Sequence, residues 1–154
     1  MVDIKIEDIR KLKELSGVGL TDAKVALVEA KGDFDKALEA MRKKGLTKAE
    51  KRGDRETREG RIDSYVHDGR IGAIVEVNCE TSFVAKTDEF KDLAHKIAMQ
   101  VASMNPRDVS ELMVQQYILD DSRTVEMFIK DAIAKTGENI TVKQFKRIEL
   151  GVVE

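Results

Sequence analysis

Three side chains in this 154-residue chain could, by type, build a nucleophilic site: the one cysteine, Cys79, and the two histidines, His67 and His95. A thiol becomes an effective nucleophile only when a neighbouring base or positive charge holds it as thiolate. His67 falls in a predicted hairpin turn and His95 on the flank of a predicted helix, and no spacing ties either to Cys79. A buried structural cysteine explains Cys79 more simply. Phosphate chemistry would call for Gly-x-x-x-x-Gly-Lys-Ser/Thr, or for Gly-x-Gly-x-x-Gly after a strand, and neither occurs. The acidic residues stand singly, without the clustering of a metal site, so neither metal nor cofactor is expected. This is the inventory of a binding protein rather than an enzyme.

Two short stretches could supply the contact surface. Thr81, Ser82, Phe83 and Val84 lie between a predicted strand and a predicted helix, and a loop held by two rigid elements suits a binding site. Phe83 also stands seven residues before Phe90, in helical phase with the core stripe, so burial in the core is the competing reading. Val18, Leu20 and Thr21 surround Gly19 in a tight connection, where two apolar side chains are hard to bury in a small bundle. Either they form an exposed patch for a partner or one of them closes the core.

The elements that would carry these stretches follow from periodicity. Residues 1–45 read as three short helices with inward faces Ile6, Ile9, Leu12, Leu15; Ala23, Ala26, Leu27, Ala30; and Phe34, Ala37, Leu38, Met41. Asp3, Thr21 and Asp33 are the expected caps, and Gly17, Gly32 and Gly45 the expected terminators. Residues 46–60 mix both charge signs with almost no apolar face, as a solvated linker helix would. Residues 61–154 then read as a hairpin over Arg61–Val66 and Ile71–Asn78, turned by Asp68-Gly69. A long helix capped by Thr87 follows, with Phe90, Leu93, Ala94, Ile97, Ala98 and Val101 inward. Asn105-Pro106 breaks the chain, and Asp108 caps a further helix reaching Tyr117. Asp120–Arg123 reads as a loop, Val125–Ile133 as a helix, and Ile140–Leu150 as a third strand. The expected fold is α+β: a small three-stranded antiparallel sheet packed with helices, preceded by a three-helix module.

Composition narrows the classes further. The chain is 42% hydrophobic and 36% charged, with a net charge of −2, which offers no electrostatic case for nucleic acid or an anionic membrane. No apolar run approaches the roughly 20 residues of a membrane span. A lone cysteine excludes an intrachain disulfide and fits a reducing cytoplasm.

Five segments carry a resemblance over nearly the whole chain: Leu12 to Leu27, Ala30 to Gly45, Ile74 to Lys86, Ile97 to Pro106, and Gly137-Glu138-Asn139-Ile140 with its following strand. Together they closely resemble bacterial elongation factor Ts, the guanine-nucleotide exchange factor of elongation factor Tu. The resemblance implies a ubiquitin-associated-like N-terminal module that docks on the nucleotide domain of GDP-bound Tu, with Val18, Leu20 and Thr21 in the docking loop. It implies also that Thr81, Ser82, Phe83 and Val84 occupy the family's Thr-Asp-Phe-Val motif, whose phenylalanine wedges into Tu and helps displace Mg²⁺. Ser82 stands where the family has aspartate, which removes a charge and any charge-assisted bond to the partner. The chain has room for one core repeat, and such short members are expected to pair as homodimers. A non-catalytic adaptor, binding a partner through the three-helix module alone, is the alternative.

Overall fold

Glycines and short capping side chains set the course of the first fifty residues. The computed structural model describes residues 3–153; Met1, Val2 and Glu154, at the ends of the expected domains, lie outside them. Helix α1 (Ile6–Ser16) stops at Gly17, whose φ of 69° is left-handed and whose N–H donates to the Lys13 carbonyl at 2.8 Å. A side chain at Gly17 would meet strain in that backbone and the Lys135 Cα at 2.8 Å, so glycine is required twice over. Helix α2 (Leu20–Glu29) begins with Gly19 as its cap, and helix α3 (Phe34–Lys51) with Asp33, which accepts the Lys36 N–H at 3.2 Å. Leu12, Val18, Ala23, Leu27, Ala37 and Met41 form a shared core.

Three local expectations are corrected here. Asp3 does not cap α1; the cap position is Lys5, two residues downstream of Asp3, and Ile4 packs against the core instead. Thr21 does not cap α2, because the chain is already helical at Leu20. Gly45 does not end α3: it is buried, and a Cβ there would lie 3.2 Å from the Ala134 side chain. The stretch expected as a separate linker helix is therefore, as far as Lys51, the last turns of α3. Lys44 and Lys48 hold Asp22 there at 2.9 and 3.9 Å.

The rest of the chain is an α+β assembly. Strand β1 (Glu59–His67) pairs antiparallel with β2 (Ile71–Cys79) around a turn in which Asp68 and Gly69 have φ of 52° and 65°. Both values are what a two-residue primed turn demands. One-turn α4 (Ser82–Ala85) leads to α5 (Asp88–Met104), capped by Thr87, which accepts the Phe90 N–H at 3.2 Å. The predicted stripe from Phe90 to Val101 is buried, and α5 packs on β1 and β2. Each large side chain there contributes about 1.5–3 kcal/mol.

Helix α6 (Val109–Val114), capped by Asp108, stops short of Tyr117. Tyr117 instead belongs to β3 (Gln116–Tyr117), paired with β4 (Asp120–Thr124), so the loop expected at Asp120–Arg123 is half of a small hairpin. The buried Gln100 amide explains it: its oxygen accepts the Ile118 N–H at 2.9 Å and its nitrogen donates to the Gln116 carbonyl at 3.0 Å. After α7 (Val125–Thr136), strand β5 (Thr141–Glu149) closes a sheet ordered β1-β2-β5, with Lys143 bulged between the Glu76–Gln144 and Val77–Val142 pairs.

Contacts group the chain into two units, Met1–Gly53 with Lys130–Gly137, and Asp54–Ile129 with Glu138–Glu154. Among the described residues no helix is long and apolar enough to cross a membrane.

Candidate functional site

Strand β2 delivers the chain to residues 80–87 from a fully buried end. Val75, Val77 and Cys79 face inward, and the Cys79 thiol donates to the Thr81 carbonyl at 3.2 Å. The four residues of α4 then divide by side. Val84 and Ala85 are buried, whereas Ser82 is exposed and the Phe83 ring stands 81% exposed. The core alternative for Phe83 fails because the helical phase does not run through Thr87: α5 restarts there with its own cap, and Phe90 alone enters the core.

So short a helix has little stability of its own. Hydrogen bonds hold it at both ends. The Thr81 hydroxyl oxygen accepts the Val84 N–H at 3.3 Å, and the Thr87 hydroxyl donates to the Val84 carbonyl at 2.8 Å. The Glu138 carboxylate adds a brace from elsewhere in the fold: Oε1 accepts the N–H groups of Glu80 and Thr81 at 3.1 and 3.0 Å, and Oε2 accepts the Thr81 hydroxyl at 2.6 Å. In return Glu80 Oε1 accepts the Asn139 N–H at 2.8 Å. The sequence pattern gives Glu138 no site role of its own; it stands there only within the segment Gly137-Glu138-Asn139-Ile140 that carries the resemblance. The clue was available in the antiparallel pairing, since Asn78 opposite Thr141 places 138–139 beside 80–81.

The second stretch has the same division with less bracing. Val18 is buried in the helical core, so of the three residues predicted to form the docking loop only Leu20, 49% exposed, and Thr21 reach the surface. Gly19 offers no side-chain cap, and Val18 N–H meets the Ser16 hydroxyl at a long 3.4 Å.

The nucleophilic alternative loses its geometry. Cys79 is wholly buried, and burial, with the nearby Glu138 carboxylate second, pushes its thiol up to about 11. His95 Nδ1 lies 3.4 Å from Asp63, and its ring meets Tyr65 edge-on at 5.8 Å.

Comparison with known proteins gives one answer. The family model for "Elongation factor TS" matches residues 80–154. Elongation factor Ts of Thermotoga neapolitana is 42% identical, over 97% of this chain and 98% of its own. That of Fervidobacterium nodosum is 41% identical over 97% and 100%, and that of Moorella thermoacetica 39% over 96% of each. The Thermotoga alignment runs over 194 positions against 154 residues here, so at least 40 of its positions have no counterpart in this chain. With identity at this level across almost the full length, the chain belongs to the elongation factor Ts family.

Proposed function

We propose that this protein is a guanine-nucleotide exchange factor for elongation factor Tu, acting in the cytoplasm by protein contact alone. Phe83 enters GDP-bound Tu and helps displace Mg²⁺, with Ser82 beside it and with Thr81 and Val84 seating the turn from below. The three-helix unit is a ubiquitin-associated-like module that docks on Tu through Leu20 and Thr21, over Val18 as their internal anchor. The observation that carries this reading is a phenylalanine ring held out in solvent on a hydrogen-bonded turn.

Exchange needs no acid, base or nucleophile. It needs preferential affinity for the Tu state in which the metal and phosphate contacts are distorted. The coupling is reciprocal, so GDP weakens the factor as much as the factor weakens GDP, and each remains displaceable. A 10³-fold weakening requires on the order of 4 kcal/mol. Interface anchors reach about 2–4 kcal/mol each, so one aromatic and one aliphatic contact can supply it. The deciding experiment is stimulated GDP release from Tu by the native chain and by Phe83→Ala. Equal rates would overturn the reading.

We also propose that the protein works as a homodimer. The outward face of the sheet supports this: Ile62, Val66, Ile74 and Ile148 lie there, all 48% or more exposed. An apolar face of this kind suits a self-complementary interface. Sedimentation should give twice the chain mass, and Ile74→Glu should give single chains; a native chain that sediments singly at micromolar concentration refutes the dimer.

A further inference from the structure

We infer that Glu138 is a positioning residue for exchange, fixing where the Phe83 ring stands before any partner arrives; this rests on the wedge reading above. Core packing cannot hold a side chain that must remain available outside, and the ring is 81% exposed. Its place must therefore be set through the backbone of a four-residue helix that would fray if left to itself. The carboxylate supplies that constraint in a directed chain. Glu138 Oε2 takes the single proton of the Thr81 hydroxyl, which leaves the Thr81 oxygen to accept the Val84 N–H and close the turn carrying Phe83. Glu138 Oε1 meanwhile fixes two successive N–H groups, those of Glu80 and Thr81.

The brace is itself held. Glu138 lies three residues before Thr141, where β5 begins and pairs with Asn78, so the sheet register determines where the carboxylate sits. The Glu80 carboxylate reaches back to the Asn139 N–H, the Arg55 guanidinium stands 3.6 Å from the same oxygen, and the Asn139 amide donates to the Arg55 carbonyl at 2.8 Å. Three segments distant in sequence thus close around the base of the wedge. An anchor ordered before contact loses less freedom on insertion, and the benefit appears where the ring acts.

A purely structural role predicts loss of stability and a loss of exchange that does not depend on Phe83. Positioning predicts coupling to Phe83. With Tu·GDP and saturating factor, Glu138→Ala should slow stimulated release about tenfold, as for loss of a charged hydrogen-bond acceptor. Spontaneous release should be unchanged. In a Phe83→Ala background the same substitution should alter the rate less than about twofold. Glu138→Gln, whose one oxygen can still accept both N–H groups but whose –NH2 cannot take the Thr81 hydroxyl proton, should recover only part of the rate. Thermal unfolding checks the fold; if Glu138→Ala does not fold, Glu138→Met fills the space without an acceptor and is read the same way. Equal losses in both backgrounds, or no loss while Phe83→Ala is slow, overturn the assignment. If Phe83→Ala is as fast as the native chain, the wedge reading falls first and this assignment with it.

Discussion

The two stretches proposed to touch Tu are built to one plan and finished differently. Each is a tight connection that pairs a buried valine with a large exposed hydrophobic close by in sequence: Val18 with Leu20, and Val84 with Phe83. At residues 81–84, hydroxyl and carboxylate bonds fix the backbone at several points. At residues 18–21, the Gly19 carbonyl accepts the Ala23 N–H at 3.0 Å as the first bond of α2, and otherwise apolar burial and one long hydroxyl contact hold the chain. Apolar packing is non-directional, whereas hydrogen bonds specify angle and distance. The first arrangement suits a group that must arrive at one point, and the second suits a surface that needs only to stick.

That contrast breaks most easily at the aromatic. Phe83→Ala should lower the maximal rate of stimulated GDP release about 10²-fold, as for a strong interface anchor. Its thermal midpoint should barely move, because the ring is not packed in the native chain. A lost rate accompanied by a collapsed midpoint would make the residue structural.

The next effect concerns the floor of the better-braced loop. Between about pH 9 and 11 the unfolded chain gives up the Cys79 proton while the folded chain keeps it, so the folded state binds more protons. Stability is therefore full below about pH 9 and falls by about 2–3 kcal/mol toward pH 11. Denaturant midpoints of the native chain and Cys79→Ala should diverge over this window. Tyr117, which burial pushes up to about 12, is common to both and cancels. Parallel midpoints would mean the thiol is not sealed.

Leu20→Ala should act in the other kinetic parameter. We expect the half-saturating concentration of factor to rise about tenfold with little change in maximal rate, since docking is lost and the wedge retained. A fall in maximal rate instead would erase the distinction between the two loops. The smallest effect is at the solvent-facing neighbour of the ring: Ser82→Asp should speed release by about two- to fivefold through a restored charge-assisted bond. No gain would mean that serine costs nothing at this position.

The hairpin, the long amphipathic helix and the capped short helices were legible because each rests on local chemistry. Asp68-Gly69 must turn, and Thr87, Asp33 and Asp108 must cap. What escaped was set at a distance. The β3–β4 hairpin has a polar, non-alternating sequence and depends on a glutamine from another helix. Gly45 signals a helix end in isolation, yet it is a place where Ala134 comes close. For Phe83 periodicity pointed inward, and only the restart of α5 at Thr87 shows why that count does not apply. The family likeness located the candidate site, whereas the division of Val18 from Leu20, and of Val84 from Phe83, is visible only in burial.

The sealed sulfur beneath the turn has one more consequence. It is the sole thiol in the molecule and has no solvent-accessible surface. Oxidants that attack thiols find none exposed, which leaves Met104 and Met127 as accessible sulfurs, and two folded copies cannot be welded by a sulfur bridge. Any pairing of subunits then rests on non-covalent contact and follows protein concentration.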